Sequence, residues 1–523
     1  MTHNDDNRFA EEHHKEPSRR RFLKRAVLTA GAAMASAGIY ELVDTFAQPP
    51  QSVALAAVQL PQEQYFVVGQ RIVNVNSAGV NGSNATFPVL LHPLHNTIIT
   101  AKLKVPANAK SLQEAQQHLE SVLTALEQKY TSTSTPLTIT VAWGLPYFQN
   151  YVPSLGKSSS FFTAGTRYPN YMPIDLVTSQ KEGHTVYAVQ DAMTFPSDQP
   201  PAGFGPVHLE QNDIAVLLRC NSLANINDAS SAIFGTGSNQ AGSLFTVTSI
   251  RRGFAGGGFY GKQSLPSKMA LAANIPYAKS IPTHAEAFLG FTTTMQANMG
   301  PGNIANLETI PGTTNQWPNG YFMHGTTMHI SHMYEDLATW YGNGPGNFSA
   351  YPDRVRAVFR PGLSPAEGTL TFNPSVETET DVEQDVQKYY EYGHSGSMQT
   401  IVRQPTPTKS NYGNVFPTNT PVSVRGDFNT LDNPFYYTSD PAGDHYSTRK
   451  AAGVHFIIFQ PTIGNFNRTR LAMDGQYPDG TKLSVPPRAH GAGFNSVLFT
   501  THRQNYLIPS RSHRAFPLAE LLG

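Results

Sequence analysis

One stretch of the chain, a helix set between two alternating strands, restricts the fold more than any other feature. Apolar residues recur at helical spacing behind the capping-box pattern Ser111-Leu-Gln-Glu114, which predicts an amphipathic helix over Ser111–Tyr130. Apolar and polar residues alternate over Ile99–Val105 and again over Leu137–Trp143, as in half-buried strands. A helix that joins strands of one antiparallel sheet indicates an α+β fold of the ferredoxin-like kind.

The second half of the chain repeats this pattern. Gly325–His332 and Gly453–Gln460 are predicted strands, and each is followed by a predicted helix, Tyr334–Trp340 and Ile463–Met473. The final segment, Ser496–Leu522, is apolar enough to be docked on the fold. We therefore expect two domains, which suits a length of 523 residues.

The predicted boundaries follow shifts in composition. Residues 1–56 form a signal and linker, 57–255 an N-terminal domain, 256–319 a loop-rich connection, and 320–523 a C-terminal domain. Residues Gln404–Tyr437 are rich in Pro, Asn and Thr and are predicted to be a loop.

Charge and cysteine content exclude several classes of function. The formal net charge is +0, so nucleic acid is not an expected partner. Cys220 is the single cysteine, so no intrachain disulfide can form. Because it ends the apolar run Ile214–Cys220, we predict a buried, inert thiol.

The N-terminus resembles an export signal. Ser18-Arg-Arg-Arg-Phe-Leu-Lys24 fits the twin-arginine pattern, and an Ala-rich apolar segment follows from Ala26 to about Tyr40. Ala54-Leu55-Ala56 offers a small-x-small cleavage site. We expect a periplasmic or extracellular protein that is exported already folded, with no stable membrane span unless the signal is left uncleaved.

A glycine-rich stretch invites a nucleotide-binding interpretation that its neighbours oppose. Gly256-Gly-Gly-Phe-Tyr-Gly261-Lys262 matches the start of a phosphate loop, but Gln263 stands where Ser or Thr should ligate Mg²⁺. Pro266 argues against a continuing helix. A glycine-rich surface loop explains the stretch better.

Several histidines are candidate ligands. His394 lies in Glu391–Gln399 beside small residues that would let a large flat group approach its imidazole; an ordinary loop histidine is the alternative. His324, His329 and His332 are close in sequence. On a strand, however, His329 and His332 point to opposite faces, which disfavours a shared metal ion.

Four stretches in the same order resemble the dye-decolorising (DyP-type) haem peroxidase family. They are Leu137–Gly144, Phe288–Phe291, Gly325–Leu337 with Trp340, and Gly453–Gln460 followed by Phe466. Taken in order, the resemblance spans most of the predicted mature chain. The resemblance implies two ferredoxin-like domains of the dimeric α/β barrel type, with antiparallel sheets and peripheral helices. It also implies haem b held mainly by the second domain.

The same resemblance assigns roles to single residues. His394 would be the axial ligand of the haem iron, with His445 as its rival. Arg425, in Val422–Phe428, would be the distal arginine that stabilises charge on the outer peroxide oxygen. The alternative for Arg425 is a surface arginine in a proline-rich loop.

The sequence departs from the family at the distal acid and at the strand arginines. Thr293 stands at the position of the family's catalytic Asp, and threonine cannot take and return a proton as a carboxylate does. His332 occupies one of the arginine positions expected to meet the haem propionates, with Ser331 and Tyr334 at the others. His284, Gln296 and Asp427 are candidate replacements for the acid.

Three functions remain open from the sequence. The first is an exported haem protein that oxidises an organic donor with hydrogen peroxide. The second is a non-catalytic relative that binds haem, another ligand or a protein partner. The third is a haem-free structural protein. An oligomer is possible in each case.

Overall fold

The strands of the two sequence halves pair at both of their edges, so that one sheet closes on itself. The fold is given by a computed structural model, in which Ile39–Gly523 is one compact unit. The structure describes residues 38–47, 59–67, 71–78, 84–152, 171–199, 206–256, 264–282, 285–290, 304–342, 404–418, 420, 422–433, 450–477, 480, 482, 495 and 497–522.

The strands are short to medium in length and are numbered in chain order. They are β1 Arg71–Ala78, β2 Asn84–Leu91, β3 His95–Leu103, β4 Thr138–Gly144, β5 His208–Leu209, β6 Ile214–Cys220, β7 Phe245–Phe254, β8 Thr326–Glu335, β9 Thr408–Lys409, β10 Val415–Phe416, β11 Val424–Arg425, β12 Phe428–Thr430, β13 Gly453–Gln460 and β14 Leu498–Ile508.

The helices lie mainly between strands. They are α1 Ala109–Tyr130, α2 Leu145–Asn150, α3 Leu176–Glu182, α4 Leu223–Phe234, α5 Leu265–Ala272, α6 Leu337–Tyr341 and α7 Ile463–Met473. Residues 38–46 are helical as well. Single 3₁₀ turns cover Ala241–Leu244, Ala278–Ser280, Arg511–His513 and Ala519–Leu521. In the described part of the chain, no helix is both long and apolar enough to cross a membrane.

Within the described residues, eight antiparallel strands form a closed ring in the order β7–β12–β13–β8–β14–β4–β6–β3 and back to β7. The first half of the chain runs β3–α1–β4–β6–α4–β7 and places its strands in the order β7–β3–β6–β4. The second runs β8–α6–β12–β13–α7–β14 and places them in the order β12–β13–β8–β14. The result is a mixed fold of antiparallel sheet and helices.

The ring has an apolar interior over part of its length. Met328, Ile457 and Tyr506 from the second half meet Ile98 and Leu217 from the first in one buried cluster. In the first half of the chain, a larger apolar cluster forms on the outer face of the sheet, where α1 and α4 cover it. Burial of these side chains is the main stabilising contribution, at about 25 cal/mol per Å² of apolar surface.

The structure corrects the start of the predicted helix at Ser111. Helix α1 begins at Ala109, and its N-cap is Asn108, whose side chain accepts the Ser111 amide at 3.0 Å. Asn is as good an N-cap as Ser, because its short side chain also reaches the free amides of the first turn. Leu112, Leu119 and Val122 are buried, as the spacing predicted.

Proline does not prevent a helix after the glycine-rich stretch, contrary to the sequence prediction. Helix α5 contains Pro266 in its first turn, where the missing N–H would have no intrahelical acceptor. Ser264 caps the helix by accepting the Ser267 amide at 3.1 Å. Residues 257–263 of the glycine-rich stretch lie outside the described residues.

The predicted loop Gln404–Tyr437 contains the strand that closes the ring. Its described residues include β9 to β12, and Asn429 of β12 pairs with Phe254 of β7. Further along, the segment predicted to be docked is the long strand β14, which pairs with both β8 and β4. Strand β8 also runs three residues beyond His332, to Glu335, so that α6 begins only at Leu337.

Cys220 behaves as predicted. Its side chain is buried at the end of β6, and its Sγ donates to the Thr135 carbonyl at 3.3 Å. Burial raises the pKa of the thiol, which lowers the thiolate fraction available for reaction.

Candidate functional site

Of the four residues that were assigned roles at the haem site, two fall where the structure is described. Arg425 lies in β11 and His332 lies in β8. Thr293 and His394 are outside the described residues. So are the other candidates His284, Gln296 and His445, and most of the predicted signal.

Arg425 is half-buried on the outer side of the ring. It pairs with Ile458 of β13, which packs against Phe195 and Phe466, the latter from α7. Ile457, the neighbour of Ile458, faces the ring interior. Because successive strand residues point to opposite faces, Arg425 belongs to the face that α7 covers.

Asp427 stands two residues after Arg425, in the break between β11 and β12. Its Oδ1 accepts the Ile457 amide at 3.0 Å. Burial raises the pKa of the Asp427 carboxyl to about 6, against the opposing effects of the Arg425 guanidinium and the backbone N–H donors. This half-buried carboxyl can therefore gain and lose a proton near neutral pH, beside a fixed positive charge.

His332 lies on the other face of the sheet. It is in phase with Met328 and Ile330 of β8, which face the ring interior. It is opposite His455 of β13 and His502 of β14, and these three form a histidine row across adjacent strands. The ring centroid of His332 is 4.1 Å from that of His455 and 6.4 Å from that of His502. Arg425 and His332, predicted to serve one cofactor, are thus on opposite faces of the sheet.

Two histidines of the row, His332 at its centre and His455 at one end, favour the neutral form. Burial lowers the pKa of His332 and of His455 well below the usual value, and the neighbouring histidines and Arg251 lower both further. Nε2 of His332 and both ring nitrogens of His455 have no hydrogen-bond partner among the described residues. His332 does have a hydrogen bond with the Asp432 backbone.

A buried ion pair lies at the end of the row. The Glu210 carboxylate forms a salt bridge with Arg251, and His502 Nδ1 is 3.3 Å from its Oε1. Burial alone would raise the pKa of Glu210, but Arg251 and His502 outweigh it and lower the pKa to about 2. Arg251 Nε donates to Ser249 Oγ at 3.2 Å, so the network continues along β7.

His329 lies on the outer face, as the prediction of opposite faces requires. Its ring stacks on Phe466 of α7 with centroids 3.6 Å apart, and Nδ1 is 2.7 Å from Asn505 Oδ1. Burial lowers the pKa of His329 well below its usual value. Across the described residues, no group of three or more His, Cys, Asp or Glu is arranged to hold a metal ion.

Four residues of this network, His455, His502, Glu210 and Arg251, were not predicted from the sequence. His455 stands between Val454 and Phe456 in an otherwise apolar strand, which is the signal that could have marked it, whereas the other three have polar neighbours. What brings them together is the pairing register of four strands. That register is set by contacts far apart in sequence.

The chain belongs to a family whose function is not known. The profile described as "Family of unknown function (DUF7405)" matches residues 184–510, which is more than half of the chain. Among proteins with curated descriptions, none matches the sequence.

The fold is similar at low level to solved DyP-type peroxidases. For the enzyme from Cellulomonas bogoriensis, the identity is 12%, the TM-score 0.44, and the match covers 86% of this chain and 99% of the other. For the dye-decolorizing peroxidase from Bacteroides thetaiotaomicron, the values are 9%, 0.41, 81% and 95%. For the encapsulated enzyme from Mycobacterium smegmatis, they are 10%, 0.41, 81% and 95%. Scores this low do not assign an activity.

Proposed function

We propose that the protein is an exported haem-binding peroxidase that uses Asp427 in place of the distal aspartate missing at Thr293. One observation supports this above all: the pKa of the half-buried Asp427 carboxyl is about 6, next to Arg425. A peroxidase needs an acid–base group that titrates near the working pH and a cation beside it. The sequence resemblance had already assigned the cation to Arg425.

The two side chains would divide the work of breaking the O–O bond of hydrogen peroxide. Ionised Asp427 would accept the proton of the peroxide oxygen that is retained and would pass it to the other oxygen, which leaves as water when the O–O bond breaks. The Arg425 guanidinium would stabilise the negative charge that develops on that departing oxygen. When bound, haem would supply the electrons for this step and then recover them from an organic donor.

Two of the groups proposed for the reaction lie close together. Arg425 is on the face covered by α7, and Asp427 is beside it. His394 remains the proposed axial ligand, on sequence grounds. His332 is no longer assigned to the cofactor, because it points into the ring beside His455.

Absorption spectra of the haem-supplied protein test the cofactor. We expect a Soret band that is lost or shifted in His394→Ala and retained in His445→Ala, the rival ligand. His184→Ala is the matched control, because the His184 side chain is 66% exposed at the surface. Absence of a Soret band in the parent protein would refute haem binding.

Peroxide turnover with a dye donor tests the catalytic pair. We expect Asp427→Asn to reduce the rate by about 10²–10⁴-fold while the Soret band persists. The rate of the parent protein should rise with pH through an apparent pKa of about 6. Asp228→Asn is the control carboxyl, since its side chain is 45% exposed. A normal Soret band without turnover would instead indicate the non-catalytic alternative.

Two further proposals accompany this function. Each half of the ring has the order strand–helix–strand–strand–helix–strand, which supports two ferredoxin-like units. The twin-arginine pattern at Ser18–Lys24 supports export to the periplasm or beyond. Hydrogen peroxide and an organic donor would be the partners, nucleic acid would not, and an oligomer is possible.

A further inference from the structure

The residues just beyond the predicted signal are built into the fold. Tyr40, Val43 and Ala47 are buried along one side of the helical stretch, which we call the docked segment (residues 39–47). They belong to one apolar cluster with Phe254 of β7 and Trp340 of α6. The docked segment therefore covers part of the core contributed by both sequence halves.

Tyr40 fixes the docked segment where the ring closes. Its hydroxyl donates to Asp432 Oδ1 at 2.9 Å and accepts the Leu431 amide at 3.1 Å. Asp432 Oδ2 in turn accepts the Arg252 amide of β7 at 2.8 Å. These bonds flank the pair Asn429–Phe254 that joins β12 to β7.

Two polar contacts hold the rest of the docked segment. Asp44 Oδ1 is 2.6 Å from Nε2 of His95, the first residue of β3. Lys268 of α5 donates to the Phe46 carbonyl at 3.4 Å. Loss of the docked segment would expose the cluster to water and would leave the buried Asp432 carboxyl without its tyrosine donor.

We infer that the leader is cleaved before Ile39, at Ala35-Ser36-Ala37, and not after Ala54-Leu55-Ala56. This inference rests on the proposed export. Ala35 and Ala37 supply the small residues that a signal peptidase requires at the third and first positions before the cleaved bond. Water would hydrolyse the Ala37–Gly38 peptide bond, leaving a carboxylate on Ala37 and an amine on Gly38.

The order of events in twin-arginine export favours this position. Such proteins cross the membrane already folded, so Tyr40 and Val43 would be buried before the leader is removed. Cleavage at the later site would separate the docked segment from the chain that it stabilises. Cleavage after Ala37 leaves the whole docked segment in the mature protein.

The test is the mass of the processed protein. The full chain is expressed in a bacterial host with twin-arginine export, and the exported fraction is analysed by intact mass spectrometry under denaturing conditions and by N-terminal sequencing. We expect a chain that begins at Gly38. A chain that begins at Ala57, or an exported chain that keeps Met1, would overturn the cleavage site while leaving export intact. Absence of the protein from the exported fraction would overturn export itself.

Paired variants separate the two candidate sites. Replacing Ala35 and Ala37 with leucine should abolish processing, because bulky side chains do not suit the small-residue site. The matched pair, Ala54→Leu with Ala56→Leu, should be processed like the parent protein. The opposite pattern would contradict the inference.

Stability of the processed protein checks the structural argument independently of cleavage and of haem. Tyr40→Phe should lower the midpoint of thermal unfolding, whereas Leu176→Ala, at a residue 38% exposed in α3, should leave it nearly unchanged. An unchanged midpoint in Tyr40→Phe would show that the docked segment does not stabilise the mature fold.

Discussion

Glu210 and Asp427 each have an arginine nearby, yet the pKa of Glu210 falls to about 2 and that of Asp427 rises to about 6. Glu210 is bound directly by Arg251 and is approached by His502 in the ring interior. Asp427 is half-buried at a break between two short strands, where burial has a larger effect on its pKa than Arg425 has. A carboxyl group beside an arginine thus forms a permanent ion pair at Glu210 and remains titratable at Asp427.

The difference lies in what each pair can do after it forms. A fully paired buried carboxylate holds its charge across the physiological range and contributes to structure. A carboxyl with a pKa near neutral exchanges its proton readily and is suited to acid–base chemistry. On this comparison, the Glu210–Arg251 pair in the ring interior stabilises the fold, and the β11–β12 break is the proposed place of acid–base chemistry.

The largest expected effect comes from breaking the interior pair. Glu210→Gln should lower the free energy of unfolding by about 3–5 kcal/mol, because it leaves the Arg251 charge buried without its partner. Urea unfolding at pH 7 measures this change. The control is Lys129→Met, which breaks the exposed Lys129–Asp228 pair and should cost less than about 1 kcal/mol.

Similar losses in Glu210→Gln and in Lys129→Met would remove the basis of the comparison. The interior pair would then contribute no more to stability than an ordinary surface ion pair. A combined Glu210→Gln, Arg251→Met variant should recover part of the loss, since it removes the unpaired charge.

The histidine row should make the fold sensitive to acid. The pKa values of His332 and His455 are lowered in the folded state, so the unfolded chain binds more protons as pH falls below about 6.5. Each histidine that stays neutral in the folded state should therefore cost up to about 1.4 kcal/mol of stability per pH unit below 6.5. Urea unfolding repeated across this range measures the slope.

His455→Phe should make the free energy of unfolding depend less steeply on pH, by about the contribution of one histidine. Phenylalanine has a similar shape, cannot be protonated and would lie beside Phe428, whose ring centroid is 5.0 Å from that of His455. His184→Gln, at an exposed histidine, should leave the slope unchanged. An unaltered slope in His455→Phe would mean that protons enter elsewhere.

Elements with a strong local pattern were predictable from the sequence. Strand β13 and helix α7 have the predicted bounds, and α1 differs only at its start. Each is long enough for its own residues to show the pattern of a strand or a helix. Strand β12 was missed because it has three residues and forms only through pairing with β7 and β13. Such pairing is not visible in a local pattern.

The candidate site divides in the same way. Arg425 and Asp427 could be named because they are two residues apart in sequence and lie in a motif-like stretch. Glu210, Arg251 and His502 come from three distant segments, and only the closed ring brings them together. Tyr40 was assigned to the export signal, since nothing in its local sequence indicates a hydrogen bond to Asp432.

The smallest expected effect tests the chemical side of the comparison. The folded-state pKa of Asp427 is raised, so between about pH 4 and pH 6 the folded chain binds more protons than the unfolded one, and stability falls as pH rises. Above pH 6, Asp427→Asn should therefore be more stable than the parent by about 1–2 kcal/mol, while its amide oxygen can still accept the Ile457 N–H. Urea unfolding at pH 5 and pH 7.5 measures both values.

Asp228→Asn is the control and should be slightly destabilising at both pH values, because the pKa of Asp228 is lowered by its tyrosine and lysine partners. If Asp427→Asn were destabilising at pH 7.5, the ionised Asp427 would stabilise the fold as Glu210 does. The proposal of acid–base chemistry at the β11–β12 break would then be wrong.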